Sequence, residues 1–181
     1  MEIEPKFAKR HAQPYAGIRS RLQRGQIPEH VPRTLSALLA FLQKHQVHTT
    51  GAPLIRYLVI DYSTGELEID VGIPVGPAIL PGDDRVRSAQ IPAGTFATVI
   101  HRGSYDALME ETAALLDWAK QKKVKWQVVE KGKVTRWRAR VEHYLVGPPD
   151  EPDPKNWQTE IAILVSDTSP VAGARRPVGT A

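Results

Sequence analysis

The sequence has no cysteine among its 181 residues. Disulfide bonds, thiolate nucleophiles and cysteine metal sites are therefore excluded, and we expect a cytoplasmic protein. No run approaches the ~18 apolar residues of a membrane span, and the N-terminal stretch MEIEPKFAKR lacks the apolar segment of a secretory signal. The net charge of +4 is too small to indicate nucleic-acid binding by itself.

Familiar catalytic and metal-binding motifs are also missing. The sequence contains no Walker loop, no GxGxxG after a strand and no GxSxG elbow. Its six histidines are scattered and show no metal-ligand spacing. We therefore expect neither a metal nor a cofactor.

What the sequence does contain is an internal duplication. Each half is predicted to run strand, helix, strand, strand, and Tyr57-Leu58-Val59 aligns with Tyr144-Leu145-Val146. Apolar residues at helical spacing predict one buried stripe in each half. The stripe residues are Leu35, Leu38, Leu39 and Leu42 in the first half, and Leu108, Thr112, Leu115, Leu116 and Ala119 in the second.

These patterns predict an α+β fold with two β-α-β-β units related by a pseudo-two-fold axis. The helices are expected on one side of an antiparallel sheet and a ligand cleft on the other, because the helical stripes need a sheet face to cover. One domain is predicted over residues 1–166, with repeats at about 5–76 and 85–166. Residues 167–181 lack an apolar pattern and are predicted to form a flexible tail.

A basic segment at 120–140 interrupts the second repeat. It carries nine lysines and arginines against Glu130 alone, with Trp126 and Trp137 interleaved. Strand-like residues on both sides of Lys131-Gly132 predict a hairpin. Basic residues mixed with tryptophans could contact nucleic acid, but we favour a solvated ribbon whose tryptophans cover the edge of the core.

The strand Val141–Val146 carries the candidate site. Alternation places Glu142, Tyr144 and Val146 on one face, and the duplication places Ile55 and Tyr57 opposite them. A carboxylate on a largely apolar strand loses hydration when it is buried, unless a partner compensates. We therefore predict that Glu142 lies at the floor of a cleft, although the same alternation fits a solvated glutamate with no function.

Taken together, these features resemble the GyrI-like small-molecule-binding family. The resemblance rests on the duplicated unit, the passage GTFATVIHRGSYDAL, the glutamate and tyrosine of VEHYLV and the ending WQTEIAILV. It implies that Glu142 sits in an aromatic cleft and neutralises lipophilic, cationic or electrophilic ligands. The ligand-binding residues that it implies are Glu142, Tyr144, Tyr57, Trp157, Phe96 and Ile55.

Three functions are compatible with this resemblance. A binding module needs only a carboxylate among aromatic rings. Some relatives hydrolyse strained cyclopropane-type electrophiles, which would give Glu142 and Tyr144 catalytic roles with water as the nucleophile. Modulation of DNA gyrase, or association with nucleic acid, has only the basic 120–140 segment in its favour.

Overall fold

The computed structural model describes residues 4–77, 85–148 and 150–171. The first half contains β1 (Lys6–Arg10), β2 (Gln13–Gln23), α1 (Ile27–Lys44), β3 (Leu54–Asp61) and β4 (Glu66–Pro74). The second half contains β5 (Val86–Ile91), β6 (Gly94–Arg102), α2 (Leu108–Gln121), β7 (Val128–Lys131), β8 (Val134–Trp137), β9 (Arg140–Val146) and β10 (Gln158–Leu164). The predicted α+β fold with two β-α-β-β units is confirmed.

The described strands form one antiparallel sheet in the order β1-β6-β10-β9-β3-β4-β2-β5, and β8 with β7 extends it beside β3. The two halves meet where β3 pairs with β9, with Ile55 directly opposite Glu142. The first strand of each half also pairs with a strand of the other half, because β1 pairs with β6 and β5 pairs with β2. The halves are therefore interlocked across a pseudo-two-fold axis that passes beside the Ile55–Glu142 pair.

The repeated Tyr-Leu-Val motif corresponds to a repeated irregularity in the sheet. In β3 the register moves from Tyr57 to Val59 while the partner strand advances by one residue, so Leu58 is the extra residue of a β-bulge. In β9 the register moves in the same way around Leu145. A bulge bends its strand and redirects the neighbouring side chains. Each half therefore has a tyrosine immediately before its bulge, facing the axis.

The helices pack on the sheet through the predicted stripes. Leu38 and Leu42 of α1 and Leu115 and Ala119 of α2 are almost fully buried. Leu39 differs from the prediction, because it is 45% exposed and lies at the edge of the α1 stripe. The contacts of α1 are mainly with β2 and β4, and those of α2 are mainly with β6. The central strands β3 and β9 therefore lie between the two helices.

Glu142 was predicted on the face of the sheet away from the helices, and this assignment is wrong. Glu142 is paired in register with Ile55 and Ile161, and both isoleucines belong to the core cluster that contains Leu108 and Leu115 of α2. Glu142 therefore faces the helical side. The prediction assumed that the helices would cover this whole face, whereas each helix covers the outer strands of its own half. The opposite face buries a separate apolar cluster that includes Val141 and Phe96.

The basic segment forms the expected hairpin. β7 and β8 pair around a turn in which Gly132 has φ +62°, a conformation that favours glycine. Trp137 is buried at the edge of the core, whereas Lys131, Lys133 and Arg136 are exposed. The beginning of the predicted tail, residues 167–171, forms turns. Ser169 fixes this part to the domain, because it is buried and its hydroxyl accepts a hydrogen bond from the Lys125 backbone N–H at 3.1 Å. Residues 172–181 lie outside the described residues.

The exposed charges of the hairpin are expected to contribute little to folding. Replacing Lys131, Lys133 and Arg136 together with serine should change the melting temperature by only a few degrees, because an exposed substitution usually costs under ~0.5 kcal/mol. Thermal unfolding checks this, and DNA titration at two salt concentrations checks the nucleic-acid alternative. A salt-dependent affinity for DNA that disappears in the triple variant would contradict our interpretation of the hairpin.

Candidate functional site

Glu142 lies where the symmetry of the two halves is broken. The register pairs it with Ile55, so a carboxylate occupies in one half the position that an isoleucine occupies in the other. Ile55 is 1% exposed and Glu142 is 8% exposed. The fold itself is compatible with an apolar residue at this position, since the first half has one. Glu142 is therefore a candidate for a role other than stability.

The two tyrosines that precede the bulges converge on this carboxylate. Tyr144 donates a hydrogen bond from Oη to Glu142 Oε2 at 2.8 Å, and Tyr57 donates to the same oxygen at 3.0 Å. Among the described residues no group donates to Oε1, and Oε1 is not one of the fully enclosed unpaired atoms. One carboxylate oxygen is thus held by the protein, and the other keeps some surface for a further contact.

Burial sets the protonation behaviour of this group. Desolvation raises the pKa of Glu142 above its ordinary value, while the hydrogen bonds from Tyr144 and Tyr57 and the charge of Arg140 oppose that rise. Desolvation also raises the pKa of Tyr57 and of Tyr144 well above the usual tyrosine value, and the neighbouring Glu142 adds to it. Both tyrosines therefore remain protonated hydrogen-bond donors near neutral pH.

A group of aromatic rings adjoins the carboxylate on one side. The ring centroids of Tyr105 and Tyr144 are 5.3 Å apart in an edge-to-face arrangement, and those of Tyr105 and Trp157 are 4.5 Å apart. Trp157 is fixed in turn by a hydrogen bond from Nε1 to the Glu151 carbonyl at 2.7 Å. A Cβ on Gly147 would collide with Tyr105 Oη, so this glycine is needed for the close approach of that ring.

An arginine lies on the other side of the carboxylate. Arg140 precedes Glu142 by two residues on β9 and therefore shares its face of the sheet. Its guanidinium carbon is 5.6 Å from the Tyr57 ring centroid and 5.2 Å from that of Trp137. Along β9 this face of the sheet thus presents, in order, a cation, an anion and an aromatic group.

Most of the residues predicted for the site come together in the structure. Tyr57 and Tyr144 bond Glu142, Ile55 is its register partner, and Trp157 joins the group through the Tyr105 ring. Phe96 does not belong to this group. It is opposite Leu164 in the register and packs in the apolar cluster of the other face, because it is an odd number of residues from Val99, which lies on the Glu142 face.

Sequence reasoning missed two neighbours of the site. Arg140 was considered only as part of the basic segment, although alternation places it on the face of Glu142. Tyr105 was not among the predicted site residues, and it lies in a 3₁₀ turn, Tyr105–Ala107, that precedes α2. The spacing of a regular helix or strand does not determine where a side chain in such a turn points.

The two best-formed hollows, of about 410 and 510 Å³, lie beside the β1–β6 edge and beside the hairpin, and Glu142 lines neither. The described residues contain no cluster of three or more side chains suited to a metal ion. Neither helix is long and apolar enough to cross a membrane.

A sequence profile for the GyrI-like small molecule binding domain matches residues 4–166. The chain belongs to the GyrI-like family. No match was found among the curated proteins. The GyrI-like chain is similar in fold to the C-terminal domain of EcmrR, with 18% identity, a TM-score of 0.73 and coverage of 92% of this chain and 99% of that one.

Two further solved structures share the fold at low sequence identity. One is a hydrolase from Listeria innocua, with 11% identity, a TM-score of 0.60 and coverage of 90% of this chain and 92% of the other. Another is SAV2435 bound to tetraphenylphosphonium, with 12% identity, a TM-score of 0.54 and coverage of 92% and 94%. At these identities the similarity establishes the fold alone.

Proposed function

We propose that the protein binds a small lipophilic molecule, cationic or electrophilic, in the cleft around Glu142. The observation that carries this proposal is the carboxylate at the pseudo-two-fold axis, in the place of an isoleucine in the other half. Both symmetry-related tyrosines hold one of its oxygens, and Tyr105 and Trp157 supply aromatic surface beside it. A cation over such rings gains ~0.5–2 kcal/mol.

The bound tetraphenylphosphonium of SAV2435 supports this proposal as an example of a lipophilic cation held by the same fold. Glu142 lines neither of the two best-formed hollows, so we expect a ligand to move the neighbouring aromatic side chains apart when it binds. Tyr105 and Trp157 are only half-buried, so they are the rings best placed to move. Glu142, fixed by two tyrosines, would remain in position as the floor of the cleft.

The test is the Glu142→Gln variant, which keeps the shape of the side chain and removes its charge. We expect its affinity for tetraphenylphosphonium to fall about tenfold, because losing a partly desolvated charge pair costs roughly 1.4 kcal/mol or more. Isothermal titration or fluorescence titration measures this effect.

The matched control is Glu160→Gln. Glu160 neighbours Glu142 across β10, but it faces the other side of the sheet and pairs with Arg10. The affinity of this control variant should stay within about twofold of the parent. Equal affinities of the parent and the Glu142→Gln variant would disprove the proposed site.

Hydrolysis of a strained electrophile is a second candidate function. It is favoured by the raised pKa of Glu142, since a buried carboxyl with a pKa nearer to the working pH is a better general acid or base. The Listeria innocua neighbour described as a hydrolase shares the fold. Product analysis on the parent, the Glu142→Gln variant and a buffer blank distinguishes turnover from binding. Association with DNA gyrase stays a prediction without structural support.

A further inference from the structure

Arg140 lies over two aromatic rings near Glu142. Its guanidinium carbon lies 5.6 Å from the centroid of the Tyr57 ring and 5.2 Å from that of Trp137. Tyr57 is also one of the two tyrosines that donate to Glu142 Oε2. One wall of the cleft therefore already carries a cation of the protein itself, held over two aromatic faces.

The contacts of Arg140 are few for a half-buried arginine. Its Nη1 donates to Tyr62 Oη at 3.3 Å, and Tyr62 is itself 50% exposed. Within the described parts of the chain, no carboxylate oxygen lies within 4 Å of the guanidinium. A guanidinium has five N–H donors in a planar fork. Most of these donors are therefore available to an acceptor on a ligand.

The charges of the cleft are separated along one strand. Arg140, Glu142 and Tyr144 stand at every second residue of β9. The Cα atoms of neighbouring members are therefore about 7 Å apart. Arg24 adds a further positive charge near this wall, because its field acts on Tyr57 and its Nη1 approaches Met109 Sδ at 3.6 Å. A ligand with only positive charge is therefore attracted by Glu142 and repelled by Arg140.

We propose that Arg140 is the specificity-determining residue of the cleft and disfavours a purely cationic lipophilic ligand. It selects molecules that present an acceptor or anionic group to its own guanidinium. The same molecules present an aromatic or cationic group to Glu142, Tyr144 and Trp157. Zwitterions and polar electrophiles have this character. The inference rests on the proposed function, since it concerns the same cleft.

The experiment uses two lipophilic ions of nearly the same shape and opposite charge. Tetraphenylphosphonium and tetraphenylborate are titrated into the parent, Arg140→Gln, Arg140→Lys and Arg136→Gln. Arg136 is the matched control, because it is an exposed arginine of the same hairpin region that stacks on neither Tyr57 nor Trp137. The measured quantity is the ratio of the two affinities in each protein.

We expect Arg140→Gln to bind the phosphonium about tenfold more tightly and the borate about tenfold more weakly than the parent does. Arg140→Lys keeps the charge and should keep the parent's preference to within a few-fold. Arg136→Gln should leave the ratio within about twofold, because it removes one exposed charge outside the cleft. The lysine variant also separates loss of charge from loss of packing.

The outcomes distinguish this inference from the proposed function. An unchanged ratio in Arg140→Gln, together with weaker phosphonium binding in Glu142→Gln, would overturn the role of Arg140 and leave the cleft in place. Equal shifts of the ratio in Arg140→Gln and Arg136→Gln would also overturn it, because the effect would then be one of general charge. Absence of binding of either ion to every protein would overturn both proposals.

Discussion

Replacing Asp70 with alanine is expected to lower the free energy of unfolding by about 3 kcal/mol, the largest single effect that we predict. Asp70 is fully buried on the face of the sheet opposite Glu142. Its Oδ2 accepts a hydrogen bond from Tyr15 Oη at 2.7 Å, and its Oδ1 accepts one from Arg19 Nε at 2.9 Å. The substitution leaves the buried hydroxyl of Tyr15 without its carboxylate acceptor.

The network around Asp70 also joins parts of the chain that are distant in sequence. Arg56 donates to Tyr15 Oη at 3.2 Å, to the Gln90 carbonyl at 2.8 Å and to the Arg138 carbonyl at 2.7 Å. Loss of Asp70 therefore loosens β2, β3 and β5 together. Arg19 is about one-third exposed, so water compensates for part of its loss, and for this reason we expect the lower end of the cost of breaking a buried ion pair.

Chemical denaturation measures this prediction. The matched control is Glu29→Ala, which breaks the exposed pair between Glu29 and Arg33 on α1 and should cost under about 0.5 kcal/mol. Tyr15→Phe removes one hydroxyl and keeps the ring, so it should cost about 1 kcal/mol. A loss in Asp70→Ala no greater than in Glu29→Ala would show that the network contributes little to stability.

The sequence predicted the symmetry of the molecule well because the symmetry is encoded locally. The Tyr-Leu-Val motif occurs in both halves, and it corresponds to the two bulges at Leu58 and Leu145. Strand alternation also predicted Glu142 and Tyr144 on one face of the sheet. The hydrogen bond between the two side chains confirms this placement. Both features depend on residues close together in the chain, which is the range over which side-chain periodicity is informative.

The failures of sequence reasoning concern the relation between distant segments. Periodicity shows that a helix has an apolar side, but it does not show which face of the sheet that side covers. For this reason Glu142 was predicted on the face away from the helices, whereas it lies on the helical face. Phe96 was assigned to the site by the family resemblance alone, whereas the register of β6 against β10, which no local pattern fixes, places it on the other face. The burial of Asp70 likewise depends on partners from a distant strand, Arg19 and Tyr15 of β2.

Each face of the sheet carries a buried carboxylate, and the two carboxylates differ in their bonding partners. Asp70 is bonded through both oxygens and is paired with an arginine, which is how buried charge is normally stabilised. Glu142 is bonded through one oxygen by two neutral hydroxyl groups, and Arg140, whose charge lowers its pKa, stacks on aromatic rings instead of forming an ion pair with it. The first arrangement favours stability. The second leaves charge uncompensated, which is the condition for binding a ligand through it.

The Glu142→Gln variant is therefore expected to be more stable than the parent at neutral pH. Burial raises the pKa of Glu142, opposed by Tyr144, Tyr57 and Arg140, so the folded protein holds this proton to a higher pH than the unfolded chain does. From the ordinary glutamate value of 4.5 up to the raised folded value, the unfolded chain binds fewer protons, and the free energy of unfolding falls as the pH rises. Glutamine has no such titration.

The free-energy difference between the variant and the parent should consequently be small below pH 4.5, rise through the window above it and become constant once Glu142 is ionised in the folded protein. Each unit by which the pKa is raised adds about 1.4 kcal/mol to that plateau. Unfolding measured across pH 4 to 8 tests this, with Glu29→Gln as the exposed control whose difference should stay nearly flat. Introducing Arg140→Gln into the parent should steepen the fall of the free energy of unfolding with rising pH, because it removes a charge that favours the ionised Glu142 carboxylate. A Glu142→Gln variant that is less stable than the parent at every pH would identify the carboxylate as a structural group and would remove the reason for placing a binding site at it.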